Sequence, residues 1–371
     1  MKGIAIVSKG LESTASKEIK EIINAKYSEK EGAVLFDIKK TSDLCLLCYR
    51  SQSVDRILYH LGDFEFKNFK AEFEKFLLDI KLEKWMSSCK NFRVECIRIG
   101  AHDFASPDVE MIASKHIAKK YKMQADFKDN EIIFFAYIIN SHCYFGVDFA
   151  GFEMNKRAYK IYMHPGSLRG PIAYALLQEA GFDKKKDMLD PFSRDGVVCI
   201  EAALNASNFP VNYYKKEKFA FLKLKLDVDF EKLFKIEDKK IKEQKGKIYS
   251  FDFMFKFIDF SRKNANIAGV DKYMNFSRTE LEWLDIKFKK GKVDCIATCL
   301  PSSKSANLEK MYKEFFYQSE YILAKEGKIA AITKNVELAK KYASANKFTV
   351  LKEMVVYSGE QPLPLIVFGK E

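Results

Sequence analysis

The sequence predicts an α/β protein: a doubly wound, largely parallel sheet in its C-terminal part, preceded by a smaller α+β region. Two observations carry this. From residue 170 onward, helical and strand patterns alternate. Before that, a β-α-β-α order is packed into roughly the first 50 residues. A chain of 371 residues suits two or three domains. With 47% hydrophobic residues it can fill real cores, which excludes wholesale disorder. No run approaches the ~18 apolar residues of a membrane-spanning helix. The opening MKGIAIVSKGLES has too short an apolar run for a signal peptide and reads as a first strand.

The elements follow in order. Residues 3–7, GIAIV, form that strand. From Leu11 to Ala25, Ile19, Ile22 and Ile23 recur at helical spacing, with Ser13 or Thr14 as a cap. Gly32 precedes a second strand, Ala33 to Ile38, and Thr41 or Ser42 opens a helix rich in Leu and Cys. Residues 69–79 carry Phe73, Phe76 and Leu77 on one helical stripe. NFRVECIRI, 91–99, alternates as a half-buried strand does. In AHDFASPDVE, Ser106 reads as an N-cap, Pro107 as the first helical residue and Asp108 as a first-turn acid. Residues 131–136 and 142–147 are two more strands.

Residues 151–170, basic and Tyr-rich with Gly and Pro, read as a connector. Beyond it, helices at 171–180 and 197–206 flank a strand at 187–189. A strand at 247–251 precedes a helix at 255–268, and a strand at 294–298 precedes a helix at 307–323. A strand at 329–333 and an apolar end at 354–368 complete the pattern.

The net charge of +12 points to a polyanionic partner, and most of the excess lies beyond residue 165. There Lys184, Lys185, Lys186, Lys215 and Lys216 are interleaved with Tyr213, Tyr214, Phe219 and Phe221. Such aromatics either stack on bases or fill a core beneath a solvated lysine surface, and composition does not separate the two. The eight cysteines, with no secretion signal, read as reduced thiols of a cytoplasmic protein. Cys45 and Cys48 form a C-x-x-C inside the apolar run DLCLLCYR, with no second ligand pair at zinc spacing. A core helix and no structural metal are expected.

In an open parallel sheet, ligands bind beyond the carboxyl ends of the strands. Three such ends stand out. MLDPFSRDGVVCIEAAL, 188–204, places an acid, a turn and Gly196 before a helix, where backbone N–H groups could approach an anion. IYSFDF, 248–253, sets Asp252 where ribose hydroxyls could be gripped. CIATCLPSS, 295–303, ends a strand in Pro301.

Together these segments resemble the THUMP-containing class I S-adenosylmethionine-dependent RNA methyltransferases, above all the guanine-N2 enzymes of 23S rRNA and tRNA. SKGLESTASKEIKEI resembles their N-terminal ferredoxin-like segment, and AHDFASPDVE their H-x-F-x-S-P-D-V stretch. VDFAGFEMNKRAYKIYMHPGSLRG is similar to their connector, and DPFSRDGVVCIEAAL to D-P-x-C-G-S-G-T-x-x-I-E-A-A. KFAF and SRKNANIAGV match as well. The resemblance implies four parts: a ferredoxin-like segment at 1–60, a THUMP-like RNA-binding domain at 61–150, the connector at 151–170, and a Rossmann-like methyltransferase domain at 171–371. It implies S-adenosylmethionine held by Asp190, Pro191, Arg194, Gly196, Asp252 and Arg278. It implies rRNA or tRNA as partner, contacted by Lys156, Arg157, Lys160 and Arg169. No membrane is implied.

The departures matter as much. Arg194 stands where the family has glycine, and Arg278 where it usually has an acid facing the adenine amine. The catalytic N-x-P-[YF]-G becomes Cys299, Leu300, Pro301, Ser302 and Ser303. A thiol replaces the amide acceptor poorly, and serine has no stacking face. Two readings follow: an RNA methyltransferase with impaired transfer, or an inactive RNA-binding assembly protein. A DNA adenine methyltransferase shares an N-P-P-Y-type site, but the THUMP-like half argues against it.

Overall fold

The computed structural model describes residues 1–86, 89–302 and 307–371. The chain divides into two compact units. One gathers Met1–Val7, Ala15–Met154 and Asn212–Ile236; the other gathers Ser8–Thr14, Asn155–Val211 and Glu237–Glu371.

The first unit contains β1 (Lys2–Ile6), most of α1 (Glu12–Ile23), β2 (Tyr27–Lys30), β3 (Ala33–Asp37), α2 (Ser42–Arg50), β4 (Arg56–Glu65), α3 (Phe69–Asp79), α4 (Glu83–Met86), β5 (Asn91–Ile99), α5 (Ser106–Tyr121), β6 (Gln124–Ala125), β7 (Ile132–Ile139) and β8 (His142–Asp148). Its eight strands form one sheet in the order β2-β3-β1-β4-β8-β7-β5-β6. β7, IIFFAYII, lies between β5 and β8 and is buried on both faces along its length, which explains its unbroken apolar run.

Sequence periodicity passes over β4. Arg56, His60, Asp63 and Glu65 break its alternation, and its ladder with β8 shifts register at Gly62. Arg56 is buried because its guanidinium pairs with Asp148 and, at 3.1 Å, with Glu95. α5 starts one residue earlier than its motif suggests. Ala105 takes the cap position and donates its N–H to Asp108 at 2.8 Å, while Ser106 is already helical.

Residues 212–236 lie within the stretch expected to be the methyltransferase domain, yet they pack in this first unit. Phe219 and Phe221 are buried and stack at 4.7 Å, and Phe234 meets Tyr49 at 4.8 Å. Phe219 and Phe221 therefore build core and offer no face to a base. Cys45 and Cys48 are fully buried in α2, where burial pushes both thiols up.

The second unit contains α6 (Gly170–Glu179), β9 (Met188–Asp190), α7 (Val197–Ser207), the end of α8 (Phe230–Asp238), β10 (Ile248–Asp252), α9 (Phe255–Ala268), β11 (Met274–Arg278), α10 (Leu284–Lys287), β12 (Val293–Cys299), α11 (Leu308–Ile322), β13 (Leu323–Ile332), α12 (Val336–Ala345), β14 (Phe348–Ser358) and β15 (Gln361–Lys370). The sheet order is β11-β10-β9-β12-β13-β15-β14. The first five of these strands are parallel, and β15 and β14 close the edge as an antiparallel hairpin. The expected doubly wound sheet is present, with the apolar end resolved into two strands. Strand order reverses between β9 and β12, so their carboxyl ends border the crevice where ligands bind in such sheets. Among the described residues, no helix is long and apolar enough to cross a membrane.

Candidate active site

β9 ends at Asp190, and Pro191–Gly196 turn into α7. Asp190 is 2% exposed. Its Oδ1 accepts from Phe192 N at 3.1 Å and from the Thr298 hydroxyl of β12 at 2.6 Å. Burial nonetheless pushes its carboxyl up to about 7, against the pull of those donors and of Arg194. Pro191 is buried as the first residue of the turn. β10 ends at Asp252, whose two oxygens accept from Met254 N at 2.9 Å and Arg194 N at 3.0 Å. Burial raises this carboxyl too.

Gly196 does a different job from the one its motif suggests. Its N–H donates to Ser193 O at 2.7 Å, so it is not a free donor for a ligand. Its φ is +81°, and an added Cβ would lie 2.1 Å from Ser261 Oγ on α9. The glycine lets α7 and α9 approach. Gly196→Ala is expected to cost about 2–5 kcal/mol, from left-handed strain plus overpacking. Urea unfolding checks this, and a loss under about 0.5 kcal/mol would contradict it.

Arg194 holds φ +51° without being glycine, a conformation that costs about 1 kcal/mol or more. Its Nη1 donates to Gly166 O at 2.8 Å. Beside it, Asp195 is 1% exposed and accepts from His164 N at 3.3 Å, while its Oδ1 has no hydrogen-bond partner among the described residues. Ser193 Oγ is orphaned in the same way. Two unpaired buried polar atoms in this turn, beside the burial-raised carboxyls of Asp190 and Asp252, fit a ligand rich in hydroxyls and cationic groups. S-adenosylmethionine carries both kinds of group.

At the end of β12, Leu300 N donates to Ile332 O at 2.9 Å and its side chain is core, 1% exposed. Pro301 O accepts from the Tyr312 hydroxyl at 2.8 Å, which also bonds Thr333 Oγ1 at 2.6 Å. Ser302 Oγ donates to Leu300 O at 3.4 Å. Cys299 lies beside the Arg194 guanidinium, but burial outweighs it and the thiol is raised, which disfavours a thiolate nucleophile. Ser303 lies outside the described residues. From Cys299 to Ser302 there is no side-chain amide and no aromatic face.

The remaining expected contacts separate. Arg278 pairs in register with Asp252 but points to solvent, its Nε donating to Phe253 O at 3.1 Å. The acid near Asp252 is Glu280, two residues on, which the sequence reading missed; its charge adds to the rise of Asp252. Arg157, expected at RNA phosphate, is instead 5% exposed, and its Nε donates to Glu201 at 2.7 Å. Tyr159 donates to the same carboxylate at 2.7 Å. Lys160 is turned inward, donating to Leu168 O at 2.6 Å, and burial lowers its pKa. Lys156 and Arg169 are exposed.

Residues 157–362 match the family described as RMKL-like, methyltransferase domain. The chain belongs to this family. Residues 68–148 match the THUMP domain, so the RMKL-like chain carries a THUMP domain ahead of its methyltransferase domain. Among curated relatives, a tRNA (guanine(6)-N2)-methyltransferase of Methanocaldococcus jannaschii is 26% identical over 95% of this chain and 96% of its own length. One of Archaeoglobus fulgidus is 25% identical over 89% and 82%. TrmN from Thermus thermophilus superposes with a TM-score of 0.74 over 100% of this chain and 99% of its own, at 20% identity. Its fold is thus shared along the chain. Within the RMKL-like frame, the buried Asp190 and Asp252 lie at the carboxyl ends of adjacent parallel strands.

Proposed function

We propose that this chain is an RNA-binding member of the S-adenosylmethionine-dependent guanine-N2 methyltransferases, acting on tRNA or rRNA in the cytoplasm, with transfer slowed by its altered β12 turn. The observation that carries the reading is the pair of buried carboxylates, Asp190 and Asp252, flanking a turn with orphaned polar atoms. S-adenosylmethionine supplies an electrophilic methyl group when bound. Asp252 holds ribose hydroxyls, and Asp190 with Asp195 holds the ammonium end. Pro301 O, fixed by Tyr312, is the carbonyl available to accept from the exocyclic amine of guanine. RNA binding is further supported by a groove of about 980 Å³ in the first unit, where half-buried Phe66 and Phe104 lie beside exposed Lys67 and Lys70.

Calorimetric titration with S-adenosylmethionine tests the donor site. Binding weaker than micromolar is expected for the wild type, and at least tenfold weaker for Asp252→Asn. Absence of binding by the wild type would overturn the reading, and submicromolar binding would contradict the expected weakness.

Asp190 adds a pH signature. Its carboxyl has an ordinary value of 3.8 and rises to about 7 in the fold. Between those values the unfolded chain has lost a proton that the folded chain keeps. Stability should therefore fall as pH rises through this window and level off above it, by an amount on the order of a few kcal/mol. Asp190→Asn should flatten the slope of the urea midpoint between about pH 5 and pH 7; an unchanged slope would remove the assignment.

A further inference from the structure

We propose that Arg194 is a tethered cation that occupies the donor site and makes it discriminate between the charged methyl donor and its neutral product. The inference rests on the proposed S-adenosylmethionine site. It starts from a charge imbalance: Asp190, Asp195 and Asp252 are each 2% exposed or less, and all three lie on or beside one turn. The side chain that rises from that turn is Arg194. Its backbone N–H is fixed by Asp252 at 3.0 Å, and its guanidinium is fixed by the carbonyl of Gly166 at 2.8 Å. The same carbonyl segment holds His164, whose backbone N–H meets Asp195 at 3.3 Å. Arg194 is thus held at its backbone by a carboxylate and at its guanidinium by a carbonyl, with no direct ion pair to Asp190, Asp195 or Asp252 among the described residues. The electrostatics agree: the charge of Arg194 lowers the pKa values of Asp190, Asp252, Cys299, His164 and Tyr312 at once. One cation therefore reaches both the β9 turn and the β12 turn.

A carboxylate cage with a built-in cation has less to gain from a second one. S-adenosylmethionine carries a sulfonium that S-adenosylhomocysteine lacks; in every other charge the two agree. Arg194 should repel the first more than the second, so the wild type favours the spent cofactor. The position is backbone-strained for arginine, at φ +51°, so local conformation does not favour arginine there.

The test is calorimetry on the full chain with S-adenosylmethionine, S-adenosylhomocysteine and an analogue bearing a protonated amine in place of the sulfonium. Arg194→Gln removes the charge and keeps the bulk; Arg194→Lys keeps the charge. Arg194→Gln is expected to tighten both cationic ligands about tenfold while changing S-adenosylhomocysteine less than about twofold, and Arg194→Lys to behave as wild type. Tightening should shrink in high salt. Equal tightening of all three would mean a steric plug, and weakening of all three a carboxylate clamp; either overturns the proposal while leaving the donor site intact. Thermal unfolding without ligand verifies that each variant is folded. If no folded protein, wild type or variant, binds any of the three, the donor-site reading itself fails and this inference falls with it.

Discussion

Guanine-N2 transfer by the purified protein is expected to be about 100–1000-fold slower than by the Methanocaldococcus jannaschii relative under matched conditions. The reason lies in four residues. Transfer to an exocyclic amine needs acceptors that hold its N–H groups and a surface that holds the extruded base. Cys299 presents a thiol that burial keeps protonated, a weak acceptor. Leu300 is core, and Ser302 turns its hydroxyl back to Leu300 O. Among the described residues of this turn, the carbonyl of Pro301, pinned by Tyr312, is the positioned acceptor that remains. The effects need not add, so the loss is bounded by the single most important contact. Cys299→Asn with Ser302→Tyr and Ser303→Gly should recover at least tenfold. Wild-type transfer at several turnovers per minute, abolished by Pro301→Ala, would show instead that this turn is fully competent.

Glu201→Ala is expected to destabilise the protein by about 3–5 kcal/mol. Glu201 is fully buried and accepts from Arg157 at 2.7 and 3.1 Å and from Tyr159 at 2.7 Å. Removing it takes a bidentate carboxylate away from a buried guanidinium. Chemical unfolding measures the loss. The same geometry separates Arg157 from RNA: for folded protein, Lys156→Ala with Arg169→Ala should lower the salt slope of RNA binding, whereas the Arg157–Glu201 pair should act through stability. A Glu201→Ala variant as stable as wild type would contradict the buried-pair account.

The second unit is legible because helical and strand patterns alternate, and because β9 and β10 each end in an acid followed by a turn and a helix. Asp190, Asp252 and Pro301 were placed at strand ends by that pattern, and the structure puts them there. What escaped was set by tertiary context. β4 opens on Arg56, whose partners Asp148 and Glu95 lie far along the chain. β11, MNFSR, is an edge strand too short and polar to stand out in the sequence. In sequence Gly196 suggests an approach for an anion, whereas in the fold Ser261 packs against it. Arg157 and Lys160 were read as surface from their charge, yet a carboxylate and a carbonyl draw them inward. Asp195 was passed over beside the louder glycine, and its orphaned oxygen is visible only in three dimensions.

The most direct test of the central claim identifies the methylated atom. RNA from a strain lacking this protein is incubated with labelled S-adenosylmethionine and either the wild type or the variant with the restored β12 turn, then digested and resolved by mass spectrometry. The account predicts label in N2-methylguanosine, slow for the wild type, faster for the restored variant and absent with Asp252→Asn. Label on adenine, or none from the restored variant despite donor and RNA binding, would contradict it.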